Sequence, residues 1–433
     1  MNYHISKNFN DISKIPTDWK NIRLKYVLSI SDIKSSNFSQ EKILSLTQKG
    51  IVERNITTNE GQIAKSYEEY ILVKQGQICM NPMDLLSGWV DISSFDGLIS
   101  PAYYTFILNK KFDNKFINYF LQSNYLRKTF FKLGKGVASH DNFGRWVLTS
   151  EELKNIFIFF PKIEEQKLIS HYLDKKFIQI DRLVKKIQKK IELLKEKRSV
   201  LINRCVTKGL DTNVEMKDSG VDWIGDIPKH WKKSRVKYKC ILKTGNSLNE
   251  NQKEMYSSDS NDKIPYISSK NIDLEKNFIN YKTGIKLPSD EPGFAISPIG
   301  SFLIVVEGGS TGKKIGYQDR DVYYVNKLCS IFNLDKTKFI YYFFQSKIIQ
   351  SFFEKSITGL IGGVSVNNIG NFFLPLPDPK EQKIISDYLD TKIESLDLLI
   401  SKSQRKVALL KEYVQSLIFH VVTGKIRITK EMI

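Results

Sequence analysis

Glu165-Gln-Lys-Leu-Ile-Ser-His-Tyr-Leu-Asp174 opens the stretch that decides the fold, and Glu381-Gln-Lys-Ile-Ile-Ser-Asp-Tyr-Leu-Asp390 repeats it 216 places later (165 to 381). In the first copy Leu173, Phe177, Ile180, Val184, Ile187, Ile191, Leu194, Arg198, Leu201 and Cys205 are spaced by alternating fours and threes, a heptad seam. The second copy puts Leu389, Ile393, Leu396, Ile400, Ser403, Val407, Leu410, Val414, Leu417 and Val421 at the same offset. One such run describes any amphipathic surface helix; two in register are expected to pair with each other.

The duplication begins before the helices. Ile15-Pro-Thr-Asp-Trp-Lys-Asn-Ile-Arg-Leu-Lys-Tyr26 matches Ile227-Pro-Lys-His-Trp-Lys-Lys-Ser-Arg-Val-Lys-Tyr238, and Phe116-Ile-Asn-Tyr-Phe-Leu-Gln-Ser123 matches Phe339-Ile-Tyr-Tyr-Phe-Phe-Gln-Ser346. The second half carries extra length in the polar run 244–263, expected to be a surface loop. Each half therefore reads as a mixed globular domain of short β-rich runs and one amphipathic helix (115–132 or 338–354), followed by the heptad helix. Closing strands are expected at 157–160 and 372–374. Pro161 and Pro377 mark the exits, acidic residues the first helical turns, and Gly209 and Gly424 the stops. The expected boundaries are domain one at 1–160, helix one at 161–210, a polar linker at 211–226, domain two at 227–376 and helix two at 377–433. Helix one leaves domain one and arrives at domain two, so a helix two that pairs with it runs back: the fold class is α+β, a tandem duplication joined by an antiparallel coiled coil. From Leu173 to Cys205 the rise is about 48 Å at roughly 1.5 Å per residue.

With 433 residues, 41% of them hydrophobic, the chain can bury substantial cores. Sixty-six Lys and Arg against 47 Asp and Glu leave a net charge of +19, distributed along the sequence, which points to an extended polyanion as partner. Helix one is the more basic: 162–208 holds fourteen Lys or Arg against six acids, 378–425 eight against seven. The four cysteines are far apart and the five histidines scattered, which argues against a disulfide framework or a zinc site. Neither a signal peptide nor a membrane span is legible, so the expected location is cytoplasmic.

Catalytic motifs fail one after another. Glu307-Gly-Gly-Ser-Thr-Gly-Lys-Lys314 approaches a phosphate-binding loop, but Glu307 stands where the first Gly is needed and Lys314 where the Mg²⁺-binding hydroxyl belongs. Asn81-Pro-Met-Asp84 lacks the second Pro and the aromatic residue of an amino-methyltransferase site. Asp378, Glu381 and Lys383 could pass for a nuclease set, yet they open a helix, where capping explains them better. The expectation is a binder with no chemistry of its own.

The two helix-opening repeats, together with Ser219-Gly-Val-Asp-Trp-Ile-Gly-Asp-Ile-Pro-Lys-His-Trp231 between the halves, resemble the specificity (S) subunit of type I restriction-modification enzymes, over nearly the whole chain. Gly97-Leu-Ile-Ser-Pro-Ala-Tyr-Tyr104 and Gly308-Gly-Ser-Thr-Gly-Lys313 also look like segments of that family's target recognition domains. The resemblance implies a non-enzymatic subunit whose two domains each read one half of a bipartite site on double-stranded DNA, with the helices fixing the unread spacer. It also implies two methyltransferase (M) subunits and restriction (R) motor-nuclease subunits as partners. S-adenosylmethionine, ATP and Mg²⁺ would sit on those partners and no cofactor on this chain. A coiled-coil interaction scaffold, or an orphan or decoy copy without an active partner, is the alternative.

Candidate DNA contacts are polar loops with a basic residue: Thr47, Gln48 and Lys49; His140, Asn142 and Arg145; Ser268, Ser269, Lys270 and Asn271; Ser310, Thr311, Lys313 and Lys314; Asn367 and Asn368. Asn, Gln and Arg can pair with base edges in two-pronged fashion, whereas Lys and Ser more often hold phosphates. Trp19 and Trp231, at matching positions, are assigned to packing.

Overall fold

The structure is a computed structural model that describes residues 3–4, 15–35, 41–47, 50–55, 64, 66–83, 90–137, 145–256, 263–358 and 362–433. The chain divides into two compact units, 1–187 with 405–433, and 188–404. The division falls inside both long helices, Ile163–Lys208 and Pro379–Val422, so each unit joins one globular domain to parts of both.

In the first unit a four-stranded antiparallel sheet has the order Leu28–Ser31, Tyr104–Leu108, Ile78–Met80, Val90–Ile92. In the second, Cys240–Thr244, Leu328–Asn333, Phe302–Val305 and Ile315–Tyr317 repeat that order. The closing strands pair with the opening ones in both: Phe157–Phe160 with Lys20–Arg23, and Phe373–Leu376 with Lys232–Arg235. Each domain is thereby closed just before its helix begins. The amphipathic helix expected in each half is instead two helices, Asn114–Gln122 with Asn124–Leu133 and Phe339–Gln345 with Lys347–Ser356. Ser123 and Ser346 break them: each holds an extended backbone and its hydroxyl accepts from the amide three residues on, a cap the apolar periodicity does not register. The polar run 244–263 also contains a helix, Glu250–Met255, started by the reciprocal Asn249 and Gln252 capping box.

Both long helices are anchored identically at their starts. Gln166 donates to the Pro161 carbonyl at 3.0 Å and Gln382 to the Pro377 carbonyl at 3.1 Å. Asp174 accepts from Lys115 and from the Tyr119 hydroxyl; Asp390 accepts from Lys338 and from the Tyr342 hydroxyl. Burial and the carboxylate partner hold both phenols protonated, far above the usual tyrosine range.

The pairing of the helices is antiparallel within each unit. In the first, Ile169 and Leu173 from the start of helix one share a core with Leu417, Ile418 and Val421 from the end of helix two. In the second, Ile202, Cys205 and Val206 from the end of helix one pack with Ile385, Leu389 and Ile393 from the start of helix two. Every heptad position named above is buried or half-buried. Trp19 lies in the first core and Trp231 in the second. Each helix ends on a left-handed glycine at φ 72°, Gly209 beside Trp231 and Gly424 against Pro16 and Trp19. Beyond Gly424, Arg427 binds Asp18 through both guanidinium amines and Glu165 at 3.1 Å, holding the C-terminal tail to domain one.

Replacing Gly424 by Ala forces a left-handed alanine whose Cβ would lie 2.6 Å from Pro16 Cδ, whereas at Gly209 the nearest atom is 3.3 Å away. Gly424→Ala should therefore cost about 2 kcal/mol and Gly209→Ala about 1 kcal/mol, with the larger fall in thermal midpoint for Gly424→Ala in a calorimetric scan.

Candidate nucleic-acid interface

In the second unit the strand Lys263–Ile267 runs into a single 3-10 turn, Ser269–Asn271. Asn271 is the residue that builds this loop. Its Oδ1 accepts from the Ser268 amide at 3.0 Å and the Ser268 hydroxyl at 2.8 Å, while its Nδ2 donates to the carbonyls of Thr283 at 2.7 Å and Asn280 at 3.3 Å. It is buried and its amide is spent inside the protein, so it shapes the loop and is not free to meet a base. A second loop joins Phe302–Val305 to Ile315–Tyr317 and carries the glycine-rich sequence. The Thr311 hydroxyl turns inward to the Gly308 carbonyl at 2.7 Å, and Lys314 Nζ donates to the Ser269 carbonyl at 2.7 Å. A strand, not a helix, follows Lys314, so no helix N-terminus is available to cradle a phosphate there.

Lys314 joins these two loops, and backbone bonds from Gly308 to Gly362 and from Val364 to Val306, both 2.9 Å, add a third. That third loop ends at Ser365, the cap of a short helix, Val366–Gly370. Three of the stretches singled out in domain two thus form one bonded cluster. From it Lys270, Lys313, Asn367 and Asn368 are exposed; Ser268, Ser269, Ser310 and Lys314 are half-buried; Asn271 and Thr311 are buried. Lys313 lies 3.7 Å from Glu354, with both side chains at least half exposed, a contact too wet to hold the lysine.

In the first unit Thr47 sits at the tip of the hairpin Leu44–Thr47 and Gly50–Glu53, its hydroxyl donating to the Gly50 carbonyl at 2.9 Å. Gln48, Lys49, His140 and Asn142 lie outside the described residues, as does the Arg145 side chain; the Arg145 backbone pairs with Val137.

Two residues of the Asp378, Glu381 and Lys383 set, read above as a helix opening, are held in structural contacts. Asp378 caps helix two, accepting from the Lys380 and Glu381 amides at 2.9 Å, and Glu381 meets His230 at 2.9 Å. All four cysteines are free and buried; burial pushes the thiols of Cys79, Cys240 and Cys329 up to about 12 and Cys205 to about 11, leaving no thiolate nucleophile at neutral pH. Among the described residues no group of three or more His, Cys, Asp or Glu is placed to hold a metal, and no helix is long and apolar enough to cross a membrane.

The helices also present residues that the seam pattern passes over. Leu183 is 38% exposed and Leu399, 216 places on, 44%; Leu193 is 52% and its counterpart Leu409 50%. The first unit displays Leu183 with Leu409 and the second Leu193 with Leu399. Applying the repeat offset to positions off the seam would have found them. Lys185, Lys186, Lys189 and Lys190 are exposed on helix one, Lys185 paired with Asp181 at 2.8 Å.

Residues 16–193 and 228–408 match the family described as type I restriction modification DNA specificity domain. Two proteins of Methanocaldococcus jannaschii are similar over 99% of this chain: the type I restriction enzyme MjaVIII specificity subunit, 23% identical over 98% of its length, and the putative MjaX specificity subunit, 22% identical over 99%. A chain from a structure described as the basis of complex assembly and conformational transition of the type I R-M system superposes with a TM-score of 0.71 at 14% identity, covering 95% of this chain and 100% of that one. The HsdS subunit of Thermoanaerobacter tengcongensis gives 0.51 at 16% identity, covering 95% and 98%. Two matched domains on a duplicated α+β fold place the chain in the type I restriction-modification specificity subunit family, the DNA-recognition components of these systems, which are not themselves catalytic.

Proposed function

We propose that the chain reads a bipartite site on double-stranded DNA, one half with 1–160 and the other with 227–376, in a cytoplasmic complex. The observation that carries this is the bonded cluster of polar loops in domain two, from which Lys270, Lys313, Asn367 and Asn368 are exposed. Exposed amides supply base-edge contacts and exposed lysines phosphate contacts. Helix one (161–210) and helix two (377–433) act as the spacer, with 211–226 as the link. The four lysines from Lys185 to Lys190 add non-specific attraction to the DNA backbone between the half-sites.

The equivalent leucine pairs fit two copies of one partner, each met by one unit, which matches two methyltransferase subunits. Those subunits would supply S-adenosylmethionine chemistry, and R subunits ATP- and Mg²⁺-dependent cleavage. Substituting Asp for both Leu193 and Leu399 should lower the methyltransferase copurified with the chain from two per chain to one, read by native mass spectrometry.

Two further measurements test DNA reading. Lys270→Ala with Lys313→Ala should reduce the slope of log affinity against log salt by roughly 1.8, about 0.9 for each phosphate the protein no longer neutralises, without lowering the thermal midpoint. Methylome sequencing of cells with and without the chain should show a split motif that vanishes on deletion. Stoichiometric binding to a protein together with no affinity for duplex DNA would replace this proposal with a protein scaffold.

A further inference from the structure

One polar hub exists in the second unit and has no equivalent among the described residues of the first. Arg198 occupies a seam position of helix one with its side chain only 14% exposed; its Nε donates to Asp397 of helix two at 3.0 Å and its Nη2 to Gln345 Oε1 at 3.2 Å. Gln345 Oε1 also accepts from Asn277 Nδ2 at 2.8 Å, at the head of a loop that follows the 3-10 turn. Helix one reaches the same loop through Lys195 and Glu275 at 2.9 Å, and helix two through Gln404 and Glu275 at 3.4 Å.

At the equivalent positions of the first unit Val414 replaces Arg198, Asp181 turns to Lys185 on its own helix, and Gln122 donates to the Val90 carbonyl at 2.7 Å. The hub was therefore built once, on top of the repeat. Apolar packing holds the base of the loop, where Ile272 and Ile279 are buried in the domain's core, but not its tip: Leu274 and Phe278 are more than half exposed, and the links from the tip span a groove of about 1030 Å³ lined by Arg198, Glu275, Phe278 and Asp397 among others. Internally the loop is stiff. Asp273 accepts from the Glu275 and Lys276 amides, Ile272 bridges to Ile279, and Asn277 is left-handed at φ 51°. Its base is Asn271, which bonds the Asn280 backbone and shapes the Ser268–Lys270 loop.

We propose that Arg198 is a positioning residue for the second half-site, fixing the Ser268–Asn271 loop relative to the helix pair through Gln345, Asn277 and the 272–280 loop. This rests on the DNA-reading function proposed above. Without the hub, the second domain's loop would sample several placements and read its half-site with less discrimination, while the first domain would be unaffected.

The test uses the full chain coexpressed with its cognate methyltransferase. Arg198→Met with Asp397→Leu replaces the ion pair by apolar side chains, so no unpaired carboxylate is left in the seam, and the thermal midpoint should stay within about 3 °C. Asn277→Gly keeps the left-handed backbone and cuts the loop from Gln345. Both variants should speed amide exchange across 273–280 about five-fold with Phe302–Val305 unchanged, and relax the methylated motif at one half-site only. Wild-type exchange in 273–280 with an unaltered motif overturns the proposal, as does equal relaxation of both half-sites. If the wild-type chain directs no split motif, the DNA-reading function fails, and exchange in 273–280 still decides whether the hub anchors the loop.

Discussion

Burial of each long helix's end against the domain that the other helix leaves is the constraint on which the rest depends. Ile202, Cys205 and Val206 complete the core around Trp231, while Leu417, Ile418, Val421 and Val422 complete the one around Trp19. Neither domain has a closed core without a helix end from the far side of the sequence. The glycine stops follow from this: the chain must leave each helix beside a tryptophan, and a left-handed glycine lets it turn there without a Cβ in the way. Arg427 then pins the C-terminal tail to Asp18 and Glu165.

Much of this was legible because a duplicated sequence states its pattern twice. The two heptad seams, the strands before Pro161 and Pro377, the glycine stops and the packing role of the paired tryptophans could be read from spacing and from the repeat offset. The serine breaks at Ser123 and Ser346 were not, because a cap is a single hydrogen bond inside an uninterrupted apolar period. The helix at Glu250–Met255 was hidden for the converse reason: its capping box lies in a polar run with no apolar face to mark it.

The candidate site was legible to a lesser degree. Sequence singled out three loops in domain two that the structure bonds together, but it could not separate outward from inward side chains, since Asn271 and Lys270 look equally polar until Asn271 is seen bonded to two backbone carbonyls. Arg198 stood out as a polar residue in an apolar seam; that it reaches into domain two depends on a loop with no counterpart pattern elsewhere in the chain. Repeated scaffolding with different loops fits the proposal that the two halves meet copies of one partner while reading different sequences.

On the proposed reading, in which the helix pair is the spacer between two DNA-reading domains, deleting one heptad from both helices should shorten it by about 10 Å and move the half-sites together by roughly three base pairs, or abolish binding. Methylome sequencing of cells carrying the shortened chain is the direct measurement. A split motif with a spacer about three base pairs shorter, or no methylation, is the predicted result; full methylation of the original motif with its spacer unchanged would contradict the account.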